Sequence, residues 1–265
     1  MASSDAPISI GQVSLVVNDL ELATNFYSKI VGLHVLTQDG ESAKLGAGNK
    51  PLIALEKDAA ARSYPNEAGL FHTAFLLPNR SDLGSWLLHV EELGIRLDGA
   101  SDHLVSEALY LQDPEGNGVE VYWDRPRSDW QRSGDHIQMD TRRLDLENLV
   151  HTASSAWTQV PTDTVIGHVH LQVGDVSKAD AFMTEHLGMT KTFGVPSAGW
   201  YGSGDYHHHL AANVWKSPGV ATRPANATGL SEIELLSDTN ALQTGFVNDP
   251  WGNRFSVKKA QMRAT

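Results

Sequence analysis

The feature that most constrains the fold of this chain is an internal repeat. Three segments each begin with a short run rich in β-branched residues, pass through a polar turn and continue in a helical apolar pattern: residues 11–33, 70–94 and 167–189. Alternating side chains in each first run predict a strand with two distinct faces. Polar residues stand near the predicted helix starts and glycines near the ends: Asp19, Ser81, Asp175, Gly32, Gly94 and Gly188.

A second repeated phrase closes two of these units. Asp-Pro followed by Gly-Asn occurs at residues 113–117 and again at residues 249–253. Proline fixes φ and glycine accepts a positive φ, so each phrase predicts a turn between two hairpin strands. A fourth unit starts near Gly229 and has little room for a helix. The sequence therefore predicts an α+β fold of four tandem βαβββ modules, the last one eroded.

The charged, proline-containing segment 126–163 interrupts the repeat. We predict that it is a linker with at most one short helix. Two domains of two modules each are then expected, residues 8–125 with modules one and two, and residues 164–259 with modules three and four.

Composition limits which partners and which metal ligands are expected. The 265 residues carry a formal net charge of −12, and they include twelve histidines and no cysteine. The acidic balance disfavours nucleic-acid and membrane partners, and with neither a transmembrane segment nor a secretory signal in the pattern we expect a cytoplasmic protein. Without cysteine, any metal must be bound by imidazole and oxygen, which suits Fe, Mn, Ni, Zn or Co.

Placing the modules in register on the turn after the first strand aligns three residues. His72 and His168 each stand seven residues before that turn, and Gln12 holds the same place in module one. In the closing hairpins, Glu120 stands seven residues after the turn aspartate, where module four has Ser256. A lone strand histidine is usually an ordinary hydrogen-bonded or exposed residue, but repetition at matched register favours a shared role.

Glu120 lies in the apolar run GVEVYW. Burying a carboxylate without a partner is costly, so a metal or a cationic partner is expected there. Two histidines and a carboxylate that leave other positions open form the facial arrangement typical of non-haem Fe(II). We therefore predict that His72, Glu120 and His168 bind Fe(II), with Mn, Ni and Zn as alternatives. Gln12 is an alternative ligand that would complete a site with His72 and Glu120.

Modules two and three carry these three residues, whereas module four lacks both the histidine and the glutamate. We therefore expect modules two and three to build one site together, while modules one and four pair as a structural cup. The alternative is an incomplete site in each predicted domain and no catalysis.

These patterns resemble the vicinal oxygen chelate superfamily, which includes glyoxalase I, fosfomycin resistance proteins and type I extradiol dioxygenases. The resemblance covers nearly the whole chain apart from the linker and module four. The phrases SDHLVSEALYLQDPEGNGVEVYWDRPRSDWQ, TVIGHVHLQVGDV, YHHHLAANVW and PANATGL are similar to small catechol-2,3-dioxygenases. The resemblance implies two glyoxalase-like domains with curved mixed sheets.

The resemblance also implies roles for further residues. Tyr110 stands ten residues before Glu120, as a site tyrosine does in that group, and the phrase HHHLA places an acid–base role on His208. His209 is the next candidate for that role, or a fourth metal ligand. His103 is expected near the pocket mouth, where it would help to hold substrate or oxygen, and a surface-loop histidine is the alternative.

The sequence does not decide which histidine of the run 207–209 faces the predicted site. In a strand, His207 and His209 would share one face and His208 would point to the other.

The implied function is an extradiol dioxygenase that cleaves catechol or a substituted catechol with O2 and Fe(II). Its partners would be a small aromatic diol and O2, with a homo-oligomer as a further expectation. Two alternatives stay open: a metal-dependent isomerase or lyase of the glyoxalase type, and a non-catalytic module that sequesters a ligand.

Overall fold

The structure is a computed structural model that describes residues 6–238 and 242–260. The first two predicted modules are each a complete βαβββ unit. Module one comprises β1 (Ile8–Val17), α1 (Leu20–Phe26), β2 (His34–Gln38), β3 (Ser42–Ala47) and β4 (Lys50–Lys57). Module two comprises β5 (Gly69–Leu76), α2 (Arg80–Glu92), β6 (Gly99–Asp102), β7 (Ser106–Gln112) and β8 (Gly118–Asp124).

The segment that was predicted as a linker contains secondary structure of its own. Its elements are a 3₁₀ turn (Arg127–Asp129), β9 (Arg132–Ser133), β10 (His136–Ile137), β11 (Arg142–Arg143) and the predicted short helix α3 (Leu146–Val150). β9 and β10 pair as a small ribbon, and β11 pairs with β6 of module two. The segment is therefore partly integrated into the main sheet structure.

The second half of the chain repeats the pattern with a loss at its end. Module three comprises β12 (Val165–Gln172), α4 (Val176–Ala181), β13 (Thr190–Val195), β14 (Ala198–Gly202) and β15 (Leu210–Asn213). Module four comprises β16 (Gly229–Ser237), β17 (Gly245–Asn248) and β18 (Arg254–Lys259). The residues described between β16 and β17 form no helix. Four modules with an eroded last member are thus confirmed.

All three helices start near the polar residues that the sequence indicated. Asp19 and Asp175 are N-caps whose side chains accept hydrogen bonds from backbone N–H groups three residues later. In module two the N-cap is Asn79, two residues before Ser81, and Asp82 closes a capping box with it. Ser81 lies inside the first turn of α2.

Strand pairing joins modules across the predicted domain boundary. The first sheet has the order β17-β18-β16-β1-β4-β3-β2 and so combines modules one and four. The second sheet has the order β11-β6-β7-β8-β5-β12-β15-β14-β13 and combines modules two and three. Both are mixed sheets, with an antiparallel junction at β1–β16 and at β5–β12. The division at residues 125 and 164 stays a prediction, since each sheet takes strands from both sides of it.

In each repeated turn, several groups around the aspartate donate hydrogen bonds to its carboxylate, an arrangement that we call the cage. Asp113 Oδ1 accepts from the backbone N–H groups of Glu115 and Asn117, both at 2.9 Å. Its Oδ2 accepts from Asn117 Nδ2 at 2.8 Å and from the Tyr27 hydroxyl at 3.1 Å. Asp249 repeats the cage between β17 and β18. The predicted hairpins are confirmed, and Tyr27 ties the first of them to module one.

In the described ranges, no helix is both long and apolar enough to cross a lipid bilayer.

We expect Asp113→Ala to lower the free energy of unfolding by about 2–4 kcal/mol, because buried donors lose their acceptor. Equilibrium urea unfolding measures this change. Asp39→Ala is the control, because Asp39 also accepts from two turn N–H groups but is exposed. Equal effects of the two substitutions would contradict the cage as the source of stability.

Candidate metal centre

Three side-chain atoms from modules two and three converge on one point. His72 Nε2 and His168 Nε2 lie 3.3 Å apart, and Glu120 Oε2 lies 3.0 Å from the first and 3.1 Å from the second. The three residues are 7%, 3% and 2% exposed. In the part of the chain that the structure describes, they form the one group of histidine, aspartate or glutamate residues compact enough to hold a metal ion.

Strand register explains why these residues meet. Ala74 on β5 pairs with Glu120 on the parallel neighbour β8 and with His168 on the antiparallel neighbour β12. His72 lies two residues before Ala74 and so shares its face of the sheet. The pairing of β5 with β12 therefore brings a histidine from module three to the histidine and glutamate of module two.

A glycine permits the close approach of β8 to β5. Gly118 pairs with His72, and a Cβ at this position would lie 2.0 Å from the carbonyl oxygen of Phe71. A larger residue would push β8 away from β5 at the level of His72. Gly118 thus helps to set the distance between His72 and Glu120.

The donor set fits a divalent ion. Donor atoms bound at about 2.1 Å are about 3.0 Å apart at right angles and about 3.4 Å apart at tetrahedral angles. The three observed separations, 3.0, 3.1 and 3.3 Å, fall in this interval. At most one proton fits between the two facing imidazole nitrogens, so a shared cation stabilises the arrangement better than neutral contact does.

Burial and the neighbouring histidines shift the pKa of the Glu120 carboxyl in opposite directions. Burial by itself raises the pKa of the Glu120 carboxyl, but the charges and hydrogen bonds of His168 and His72 lower it well below its ordinary value. Burial lowers the pKa of His168. Glu120 is therefore ionised while His168 favours its neutral form, as metal ligands must.

The three residues open onto a cavity of about 540 Å³. Its remaining walls are mainly aromatic and apolar: Phe71, Val105, Met139, Phe193, Val195, Trp200 and Trp215. Met139, together with Asp140 and Thr141, comes from the segment that was predicted as a linker. That segment is therefore part of the cavity wall, which the charge pattern did not indicate.

Tyr110 and His103 form a pair beside the cluster. Tyr110 on β7 is the direct cross-strand partner of Glu120, which explains their spacing of ten residues. The Tyr110 hydroxyl lies 2.7 Å from His103 Nε2, and His103 Nδ1 lies 2.8 Å from the carbonyl oxygen of Asp140. Since a carbonyl only accepts, His103 donates from Nδ1, and Nε2 of the neutral ring is then an acceptor for the Tyr110 hydroxyl. His103 is thus oriented within the cavity wall.

The charge of Glu120 and burial also act on this tyrosine. Burial and then the Glu120 carboxylate raise the pKa of Tyr110 well above its ordinary value. Tyr110 is therefore a neutral hydroxyl at physiological pH and serves as a hydrogen-bonding group.

The histidine run precedes β15 and is irregular, so the alternation expected of a strand does not apply to it. His208 lines the cavity with its ring centroid 4.2 Å from that of His168, and His207 Nδ1 lies 2.7 Å from His208 Nδ1. His209 is turned elsewhere, and its Nδ1 accepts from the backbone N–H of Ser203.

Gln12 is not brought to the cluster. It lies on β1 in the first sheet, where its Nε2 lies 3.3 Å from Ser14 Oγ.

Sequence reasoning missed one cavity histidine. His170 lies opposite His72 in the β5–β12 pair and lines the cavity. Asn213 Oδ1 accepts from the backbone N–H of Trp215, so the 3.0 Å contact of Asn213 Nδ2 is a donation to His170 Nε2. Two histidines at period two in GHVHLQ were the available signal, because alternate strand residues share a face.

We expect the purified protein to bind one divalent ion per chain, and His72→Ala, His168→Ala or Glu120→Gln to abolish that binding. Metal analysis of anaerobically prepared protein measures the stoichiometry. Saturating metal should raise the melting temperature of the wild type but not of these variants, since an ion that binds only the folded state stabilises it. His151→Ala, at the exposed end of α3, should bind metal normally. Full binding by His168→Ala would overturn the site.

Comparison with known proteins gives the family. A family model for the Glyoxalase/Bleomycin resistance protein/Dioxygenase superfamily matches residues 9–121 and 165–231. A catechol-2,3-dioxygenase from Bacillus subtilis (strain 168) is 38% identical over 97% of this chain and 96% of its own length. A biphenyl-2,3-diol 1,2-dioxygenase 3 from Rhodococcus globerulus is 32% identical over 42% of this chain and 60% of its own length.

A solved structure shows the same fold. The glyoxalase I from Zea mays superposes with a TM-score of 0.57 at 15% identity, covering 97% of this chain and 94% of that one. The matched family model spans more than half of the chain and covers modules one to three up to the start of β16. The chain belongs to the glyoxalase/bleomycin resistance protein/dioxygenase superfamily.

Proposed function

We propose that the protein is an extradiol dioxygenase that cleaves the ring of catechol or a substituted catechol with O2. The observation that carries the proposal is the His72–Glu120–His168 cluster at the floor of an aromatic cavity, flanked by Tyr110 and His208. The full-length similarity to a catechol-2,3-dioxygenase supports the same reaction.

The three residues of the cluster would hold the metal ion, which we propose to be Fe(II). When bound, such an ion would supply Lewis-acid and electron-transfer chemistry for a reaction between a catechol and dioxygen. With two neutral imidazoles and one carboxylate as its ligands, a divalent ion would keep a net positive charge, which would favour the deprotonated form of the diol.

His208 is the proposed acid–base residue. Burial first, and then the neighbouring histidines His168 and His207, lower the pKa of His208 well below its ordinary value. It is therefore neutral at pH 7 and has a lone pair with which to accept the hydroxyl proton of the substrate. The same nitrogen can return that proton later in the reaction.

Tyr110, the other residue that flanks the cluster, is proposed to hydrogen-bond a substrate oxygen. Its hydroxyl donates to His103 Nε2, so the Tyr110 oxygen keeps a lone pair that can accept from a substrate hydroxyl. His103 fixes this orientation through its own bond to Asp140. Arg125 in turn fixes the turn that carries His103, through its ion pairs with Asp102 and Glu107.

The cavity suits a flat, apolar ring. Phe71 and Trp215 meet edge to face at 5.2 Å, and Phe193 and Trp200 do so at 5.1 Å. Aromatic walls bind a planar ring by dispersion and exclude water from the reacting oxygens.

A glyoxalase-type isomerase or lyase is the second candidate, but the site favours it less. Chemistry of that type needs a four-ligand metal site. His209 uses its Nδ1 and His170 its Nε2 for hydrogen bonds elsewhere, and no fourth histidine, aspartate or glutamate joins the cluster within the described residues. Three ligands leave the open positions that a bidentate diol and dioxygen require.

Protein reconstituted anaerobically with Fe(II) should show catechol-dependent oxygen uptake and form a yellow ring-cleavage product. Glu120→Gln should lower this activity at least about 100-fold, because binding of the ion loses its only carboxylate. Glu147→Gln, on the exposed helix α3, is the matched control. An iron-loaded wild type that consumes no oxygen with any catechol would contradict the proposal.

His208→Gln and Tyr110→Phe test the two flanking residues. We expect His208→Gln to lower kcat about 10²–10⁴-fold, the usual contribution of a general acid–base group. Tyr110→Phe should lower kcat/KM while iron content stays unchanged. Steady-state oxygen uptake measures both, with Tyr64→Phe as the control because its hydroxyl donates to Asn226 Oδ1 in an exposed contact. An unchanged kcat in His208→Gln would remove His208 from the mechanism.

A further inference from the structure

Behind His208, a series of three hydrogen-bonded side chains leads away from the cavity. Asp124 Oδ1 lies 2.8 Å from His207 Nε2, and His207 Nδ1 lies 2.7 Å from His208 Nδ1. His207 is fully buried, and the Asp124 side chain is 10% exposed. The metal cluster, the Tyr110–His103 pair and the cavity wall use neither Asp124 nor His207.

The acceptors in this hydrogen-bond series limit where its protons can lie. An ionised carboxylate only accepts, so His207 Nε2 carries a proton and donates to Asp124. The contact between His207 Nδ1 and His208 Nδ1 holds a single proton, which either nitrogen can carry. With that proton on His208, His207 Nδ1 accepts and His208 Nε2 keeps a lone pair for a group in the cavity.

The packing holds His207 in this orientation. Its ring packs against those of Tyr206 and Trp130, at centroid distances of 4.1 and 5.1 Å. The Thr192 hydroxyl donates to the backbone carbonyl of His207. A ring packed against two aromatic neighbours and bonded at both nitrogens cannot turn without breaking several contacts.

The carboxylate is fixed as well. Asp124 is the last residue of β8, four residues after Glu120. The strand that carries a metal-centre residue therefore also carries the carboxylate of this hydrogen-bond series. Asp124 Oδ2 accepts from the Tyr206 hydroxyl at 2.8 Å, and that hydroxyl lies 2.8 Å from the hydroxyl of Tyr122. The position of Asp124 is therefore set by the same strand register as the metal centre.

We propose that Asp124 and His207 are positioning residues that hold His208 with its proton on Nδ1 and with Nε2 free toward the substrate. The inference rests on the proposed function for the identity of that substrate, a catechol hydroxyl. Neither residue touches the substrate, and both act through the ring orientation and tautomer of His208.

Kinetics of two His207 variants test the proposal. His207→Leu removes the acceptor for His208, so kcat should fall at least tenfold while iron content and the KM for catechol stay within twofold. His207→Asn offers a carbonyl oxygen close to the position of Nδ1 and should restore most of kcat. Tyr27→Phe removes a buried hydrogen bond to a carboxylate far from the cavity and should leave kcat unchanged. No rescue by His207→Asn, or an equal loss in Tyr27→Phe, would overturn the positioning role.

The tautomer of His208 can be observed without turnover. Long-range ¹H–¹⁵N spectra of the full chain, ¹⁵N-labelled at histidine and loaded with diamagnetic Zn(II), should show His208 protonated at Nδ1 and not at Nε2. His208→Gln identifies its signals by their disappearance. A wild-type His208 protonated at Nε2 would overturn the inference, even if His207→Leu did not fold. The expected tautomer in a chain without catechol-dependent oxygen uptake supports the inference and overturns the proposed function instead.

Discussion

The antiparallel pairing of β5 with β12 is the interaction on which the site depends. It joins modules two and three into one sheet and places His168 beside Ala74, two residues along β5 from His72. The parallel neighbour β8 then brings Glu120 to the same level, and β7 brings Tyr110 opposite Glu120. A shift of one residue in any of these pairings would turn a side chain to the other face of the sheet and remove it from the cluster.

The cost of burying polar groups shapes the surroundings of this cluster. Glu120 and five histidines are buried within one region, and each has at least one side-chain polar atom in contact with another member of the group or with a neighbour. The histidines are His72, His168, His170, His207 and His208. One atom stands out, because His168 Nδ1 is buried with no hydrogen-bond partner among the described residues. Such a concentration of buried titratable groups costs stability. Proteins keep such clusters mainly at functional sites.

The segment between modules two and three shows how a site can use what looks like a connection. Its charge and prolines predicted a linker, and one short helix is present as expected. Its middle part nevertheless closes the cavity with Met139 and holds His103 through the carbonyl of Asp140. Trp130, from the same segment, packs on His207 behind the cavity. These contacts join positions that no local pattern relates, so composition alone could not predict them.

The sequence by itself determined the repeat, the hairpin turns and the identities of His72, Glu120 and His168, because strand periodicity, turn chemistry and matched spacing are local properties. It also indicated Tyr110 through a spacing that a hairpin converts into a cross-strand pair. The two sheets pair module two with module three and module one with module four, as the sequence predicted. The tertiary structure decided the strand register at those junctions, that His208 faces the cavity while Gln12 and His209 do not, and that Asp124 and His207 stand behind His208. Those outcomes depend on pairing and packing between residues far apart in the chain, which local pattern does not encode.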